Sequence, residues 1–203
     1  MQFLRRATGR PARIGILPGA FNPPTVAHLA LARCALAHVE EALFVLPKEF
    51  PHKPFDGAPF EARAAMLLAA TADTSRFSVA VSDAGLFRDI ARECREAYGE
   101  DARLSFLCGR DAAERILNWN YGGDSSVTEM LREFDLLVAA RCGELEAPLH
   151  VRHAIERLYL SEDLDSVSST EVRNRIARGE PWEHLVPKEV RKLAAEIYLP
   201  KSP

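Results

Sequence analysis

The chain has 203 residues, 47% of them apolar, and carries 26 Lys and Arg against 29 Asp and Glu for a formal net charge of -3. That is enough chain to bury one ordinary α/β core. The nearly balanced, interspersed charges exclude a protein whose task is to coat nucleic acid or an anionic membrane, so any anionic ligand must be held by local groups.

The first residues, MQFLRRATGRPAR, are basic and lack the apolar stretch of a secretory signal. Gly9 and Pro11 break any pattern there, so residues 1–11 read as a mobile or weakly docked leader. Beyond them, apolar runs of strand length alternate with segments of helical period. Ala12–Leu17 reads as a strand, Thr25–His38 as a helix, Ala42–Leu46 as a strand, Pro59–Thr71 as a helix and Phe77–Val81 as a strand. Phe87–Tyr98 follows as a helix, Leu104–Cys108 as a strand, Asp111–Asn118 as a helix start and Phe134–Ala140 as a strand, with Leu158–Leu160 as a short edge strand. Asn118–Ser126, rich in Asn, Gly and Ser, reads as a mobile loop. The end of the chain is helical over Ser169–Arg178 and Lys188–Tyr198.

The pattern predicts a single α/β domain over residues 1–203. It comprises a Rossmann-like, doubly wound parallel sheet over 12–160 and a helical C-terminal part over 161–203. Cys34, Cys94, Cys108 and Cys142 form no CxxC pair or Cys/His cluster and read as buried reduced thiols. With no run approaching ~20 apolar residues, the expectation is a cytoplasmic protein without a membrane segment. It binds small molecules rather than nucleic acid, and a homo-oligomer is left open.

In an open parallel sheet the ligand lies beyond the carboxyl ends of the strands, and the loop after the first core strand usually reaches it. Here that loop is GAFNPPTVAHL, Gly19 to Leu29. Gly19 removes bulk where a phosphate approaches the backbone, Pro23 and Pro24 stiffen the entry to a helix, and Thr25 caps that helix. The helix start offers amides and a partial positive charge to an anion. Thr25 and His28, three residues apart, are expected to face the same ligand. Neither GxGxxG nor GxxxxGK[ST] occurs in this loop, which disfavours hydride transfer and P-loop chemistry.

A second cluster is Val167-Ser168-Ser169-Thr170-Glu171-Val172-Arg173. Three hydroxyls at a helix start can donate to phosphate oxygens, and Arg173 one turn in supplies a guanidinium fork. Ser168 and Glu171 also have the spacing of a capping box.

Together GAFNPPTVAHL and VSSTEVR resemble the GSFNPxTxxH and ISSTxxR motifs of the nucleotidyltransferase superfamily, especially its nicotinate- and nicotinamide-mononucleotide adenylyltransferases. Thr25 stands where bacterial members usually carry a first histidine, and Ala27 where they carry glycine. Gly109-Arg110-Asp111, with Trp119 eight residues beyond Asp111, resembles the family's GxDxxxxxxxW element, and Pro51-His52-Lys53 its PPHK segment. Arg63 and Met66 continue the likeness on a helix. The resemblance runs from about Ile14 to about Tyr198.

The resemblance implies transfer of AMP from ATP to a pyridine mononucleotide with release of pyrophosphate, as in NAD biosynthesis. His28, Thr25 and Arg173 would be catalytic. Gly19, Ala20, Phe21, Asn22, Ser168, Ser169 and Thr170 would bind the ATP phosphates. Lys53, Gly109, Asp111 and Trp119 would serve the acceptor. Mg2+ is expected to bridge the phosphates with no dedicated protein ligand. The stretch Ser82–Asp89 lacks the tyrosine that the nicotinate branch usually carries after its third strand. The alternatives are a related nucleotidyltransferase with another phosphorylated acceptor, such as phosphopantetheine, or a non-catalytic nucleotide-binding protein.

Overall fold

The computed structural model describes residues 1–49, 55–118, 127–139, 147–160, 164 and 166–199. The strands are β1 (Gln2–Arg5), β2 (Arg13–Pro18), β3 (Glu41–Pro47), β4 (Phe77–Ser82), β5 (Arg103–Gly109), β6 (Asp135–Ala139) and β7 (Ile155–Leu158). The helices are α1 (Val26–Ala35), α2 (Phe60–Thr71), α3 (Phe87–Tyr98), α4 (Arg110–Asn118), α5 (Val127–Glu133), α6 (Ser169–Arg178) and α7 (Arg191–Tyr198). None of the described helices is long and apolar enough to cross a membrane.

The central strands read as unbroken apolar runs because both faces of the sheet are covered. Side chains alternate between two cores. Ile14, Ile16, Leu43 and Val45 meet Ile90 and Cys94 of α3, Ala113 of α4 and Met130 of α5. Leu17, Phe44 and Leu46 meet Leu29 of α1, Met66 and Leu67 of α2, Val172 and Ile176 of α6, and Ala194 of α7. The C-terminal helices thus complete the same layer as α1 and α2.

The strand order is β1-β4-β3-β2-β5-β6-β7. All neighbours are parallel except β1 and β4. Gly15 of β2 lies opposite both Ala42 of β3 and Ser105 of β5. The chain builds outward from β2 through β3 and β4, then returns to β2's other side for β5, β6 and β7. The order therefore reverses between β2 and β5, and the loops after these two strands flank the crevice where such folds bind ligands.

Three expectations are corrected. Residues 2–5 are not a loose leader but strand β1, with Gln2 opposite Val81 and Phe3 opposite Ala80. Arg5 donates to the carbonyls of Thr71 and Phe77, the latter at 3.1 Å, and Arg6 lies over the rings of Phe3 and Tyr98. The arginines that made the segment look like a basic tail are what dock it. The last strand is Ile155–Leu158 rather than Leu158–Leu160, its outward positions polar because it is an edge. Helix α5 occupies Val127–Glu133, to which the sequence pattern assigns nothing. The other elements fall within a few residues of expectation.

Candidate active site

Phe21 carries a backbone φ of +46°, a left-handed conformation that a bulky residue adopts only when its surroundings enforce it. Those surroundings come from four helices. Its ring packs edge-on to His28 of α1 with centroids 5.3 Å apart, and against Phe44 at 5.8 Å. From α2, Arg63 donates 3.1 Å bonds to the carbonyls of Ala20 and Ala58, with its guanidinium 4.3 Å from the Phe55 ring centre. Arg63 is 3% exposed, and burial pulls its pKa below the usual guanidinium value. From α6, Arg173 Nη1 donates to the carbonyl of Asn22 at 2.6 Å and Ser169 Oγ to that of Pro23 at 2.7 Å. From α7, the Tyr198 hydroxyl donates to Asn22 Oδ1. The carbonyls of Ala20, Asn22 and Pro23 are thereby each held by a side chain.

At the head of α1, Thr25 and His28 form a reciprocal cap. The Thr25 amide donates to His28 Nδ1 at 3.0 Å, the His28 amide donates to Thr25 Oγ1 at 3.4 Å, and Oγ1 lies 2.7 Å from Nδ1. Histidine takes the place of the glutamate that usually closes such a box. Because a backbone N–H can only donate, Nδ1 is an acceptor and the imidazole proton resides on Nε2. Thr25 is fully buried. Its hydroxyl is turned inward onto the imidazole. The Gly19 amide donates to Val45 O at 3.0 Å and extends the β2–β3 ladder. The amides of Gly19, Thr25 and His28 are therefore already committed to protein acceptors.

The three hydroxyls at the head of α6 divide similarly. Ser168 caps the helix by accepting from the Glu171 amide at 3.1 Å, Ser169 holds the loop, and Thr170 Oγ1 accepts from Arg173 Nη2 at 3.3 Å. Arg173 is half-buried and Thr170 exposed. Across the crevice, Gly109 ends β5 with open space where a side chain would project. Asp111 is exposed in the first turn of α4 and lines an open depression with Glu114, Arg115 and Asn118. Burial pushes the Cys108 thiol up to about 12, so it is neutral and no nucleophile. Lys53, Trp119 and most of the Asn118–Ser126 loop lie outside the described residues, as does Cys142.

A more enclosed cavity of about 270 Å³ lies at the amino ends of β2, β5, β6 and β7, away from this loop. Its guanidiniums and carboxylates pair with one another or with a neighbour, Arg103 with Asp135 at 2.8 Å and Arg13 with Glu40 at 3.4 Å. Asn22, Arg63, Gly57 and Tyr198 matter more to the loop than the sequence pattern signals. Tyr198 stands 176 positions from Asn22, a separation no local motif can report.

A doubly wound sheet whose switch-point loop presents an imidazole, clamped by a second helix that carries an arginine, defines a nucleotidyltransferase type of site. The chain belongs to the cytidylyltransferase-like family, whose model matches residues 16–175. Among its relatives is a probable nicotinate-nucleotide adenylyltransferase of Thermus thermophilus, 36% identical over 93% of this chain and 97% of that protein. Another protein of the same name, from Moorella thermoacetica, is 31% identical over 90% of this chain and 89% of its own length. The solved structure of the Plasmodium falciparum nicotinic acid mononucleotide adenylyltransferase complexed with NaAD superposes with a TM-score of 0.67. It covers 91% of this chain and 95% of that one at 16% identity, which attests the fold.

Proposed function

We propose that this enzyme transfers the adenylyl group of ATP to nicotinate mononucleotide and releases pyrophosphate, a step of NAD biosynthesis on soluble substrates that suits the cytoplasm. Relatives named for this activity, aligned over about nine-tenths of the chain, support the acceptor class. The observation that supports the chemistry is the meeting of His28, Ser169 and Arg173 on four consecutive residues, Asn22 to Thr25.

A phosphate monoester oxygen of the acceptor attacks the α-phosphorus of ATP. The bond from that phosphorus to the bridging oxygen breaks, and pyrophosphate leaves with the electron pair. The attacking oxygen is already anionic, so no protein nucleophile is needed and catalysis consists of alignment and charge stabilisation. His28 donates its Nε2 proton in a hydrogen bond to an α-phosphate oxygen as charge builds there. Arg173 and the Thr170 hydroxyl face the β- and γ-phosphates. Asp111 accepts from ribose hydroxyls, with Gly109 leaving room for the ligand.

Among the described residues, no three His, Cys, Asp or Glu side chains are grouped to hold a metal. A magnesium ion would enter with the triphosphate on phosphate and water oxygens, supplying charge neutralisation. A different phosphorylated acceptor is the second reading. It is favoured by the turn after β4, where Ser82 donates to Glu93 at 2.9 Å and Asp83 pairs with Lys48 at 2.5 Å, with no tyrosine in the segment.

The test is pyrophosphate release with ATP, magnesium and a panel of nicotinate mononucleotide, nicotinamide mononucleotide and phosphopantetheine. Turnover is expected with a pyridine mononucleotide, and His28→Ala should lower kcat by ~10² or more while remaining folded. Turnover with phosphopantetheine alone would establish the second reading, and release from no acceptor would remove catalysis.

A further inference from the structure

We propose that Tyr198, in the last helix, is a positioning residue for the Gly19–Thr25 loop, acting through the side chain of Asn22. The proposal rests on the reading of that loop as the one that seats His28 and Arg173 against the ATP phosphates.

Asn22 is 4% exposed, and its Oδ1 receives two donors, the Ala58 amide at 3.1 Å and the Tyr198 hydroxyl. A backbone amide cannot accept, so the oxygen of the side chain must be the atom facing Ala58, and the phenol must be the second donor. The phenol keeps its proton: burial pushes it up to about 12, against the pull of the Arg173 and Arg63 guanidiniums beside it. The Nδ2 edge of the same amide lies over Gly57, where a Cβ would come within 2.3 Å. Asn22 is thus held on its oxygen by the amide of Ala58, just before α2, and by the hydroxyl of Tyr198 in α7, its nitrogen lies against Gly57, and its own carbonyl meets Arg173. Rotation of this amide would tilt the carbonyl that Arg173 grips and the chain leading to the Thr25–His28 cap.

The two donors are unequal in consequence. Replacing Tyr198 by Phe leaves Oδ1 still paired with Ala58, so no buried acceptor is orphaned and the fold loses little. What is lost is the second restraint on the amide, and with it the fixed aim of His28 and Arg173. A loop displaced by a fraction of an ångström costs rate rather than stability.

Tyr198→Phe is therefore expected to lower kcat about tenfold. KM for the mononucleotide should stay within about twofold, and Tm within about 3 °C. Combined with His28→Ala, the same substitution should add clearly less than it costs in the parent, because His28, one of the two groups being aimed, is already gone and only the aim of Arg173 is left to lose. Parental kcat in Tyr198→Phe, or an equal loss in both backgrounds, overturns the positioning role. The loop's reading is judged separately: an inactive parent enzyme, or His28→Ala with unchanged turnover, would strike that reading and the proposal with it.

Discussion

Thr25 and His28 each satisfy a backbone donor that the other leaves exposed, and the exchange makes one helix cap serve two ends. As a cap it replaces water on two of the orphan amides of α1, worth about 1 kcal/mol. As an orienting device it fixes which imidazole nitrogen carries the proton. Thr25→Val keeps the shape of a fully buried side chain but removes Oγ1, leaving the Thr25 amide bond to Nδ1 in place. Stability should fall by about 1 kcal/mol. Turnover should drop about tenfold, less than for His28→Ala, while Thr25→Ser recovers most of both. Urea unfolding beside steady-state kinetics measures this, and a Val variant as fast as its parent would show that the hydroxyl does not aim the ring. The pairing was visible in the spacing, but its geometry was not. Three residues on a helix bring two side chains together without saying whether they face a ligand or each other.

At the scale of elements, the covered strands were easy to read because burial on both faces turns β3 and β4 into continuous apolar runs. The edges were harder. β1 has only four residues, it ends on Arg5 with Arg6 directly after it, and it joins antiparallel without the crossover helix that marks the other strands. β7, with Glu156 and Arg157 facing outward, has little apolar pattern to report. β1 nevertheless shields β4, whose six residues are all buried. Removing residues 1–7 would uncover that backbone edge and the Ser78 hydroxyl that accepts from the Ala7 amide. Such an edge invites pairing between copies. Expected are a melting temperature lower by roughly 5 °C or more and turbidity that grows with concentration. The remaining soluble fraction should turn over normally, since β1 lies three strands from β2. An unchanged melting curve would mean that β1 contributes no net stability.

For the whole molecule, the loop motifs and the α/β alternation could be read along the chain because each is local. Their meeting at the β2–β5 reversal depends on sheet order, and the grip of Arg63, Arg173 and Tyr198 on one loop depends on distant helices packing over one face. The opposite face carries a consequence for pH. Cys94 is completely buried and Cys108 nearly so, and burial raises both thiols from an ordinary 9.0 to about 12. Well below pH 9.0 both states hold these protons and the thiols add no pH dependence. Between 9.0 and about 12 the unfolded chain releases them while the native protein retains them, so stability must fall as pH rises. The limiting slope is about 1.4 kcal/mol per pH unit for each thiol. Tyr98 and Tyr198, also raised by burial, act in the same sense but chiefly around and above their ordinary value of 10.0. Between 9.0 and 10.0 the cysteines therefore supply the larger part of the slope. A Cys94→Ala/Cys108→Ala double variant starts less stable, because two sulfur-sized voids are left behind. Its urea midpoint should nevertheless decline more gently than the parent's across that interval. Parallel declines in the two proteins would mean that the native thiols ionise as freely as unfolded ones, and that this core admits the solvent its packing excludes.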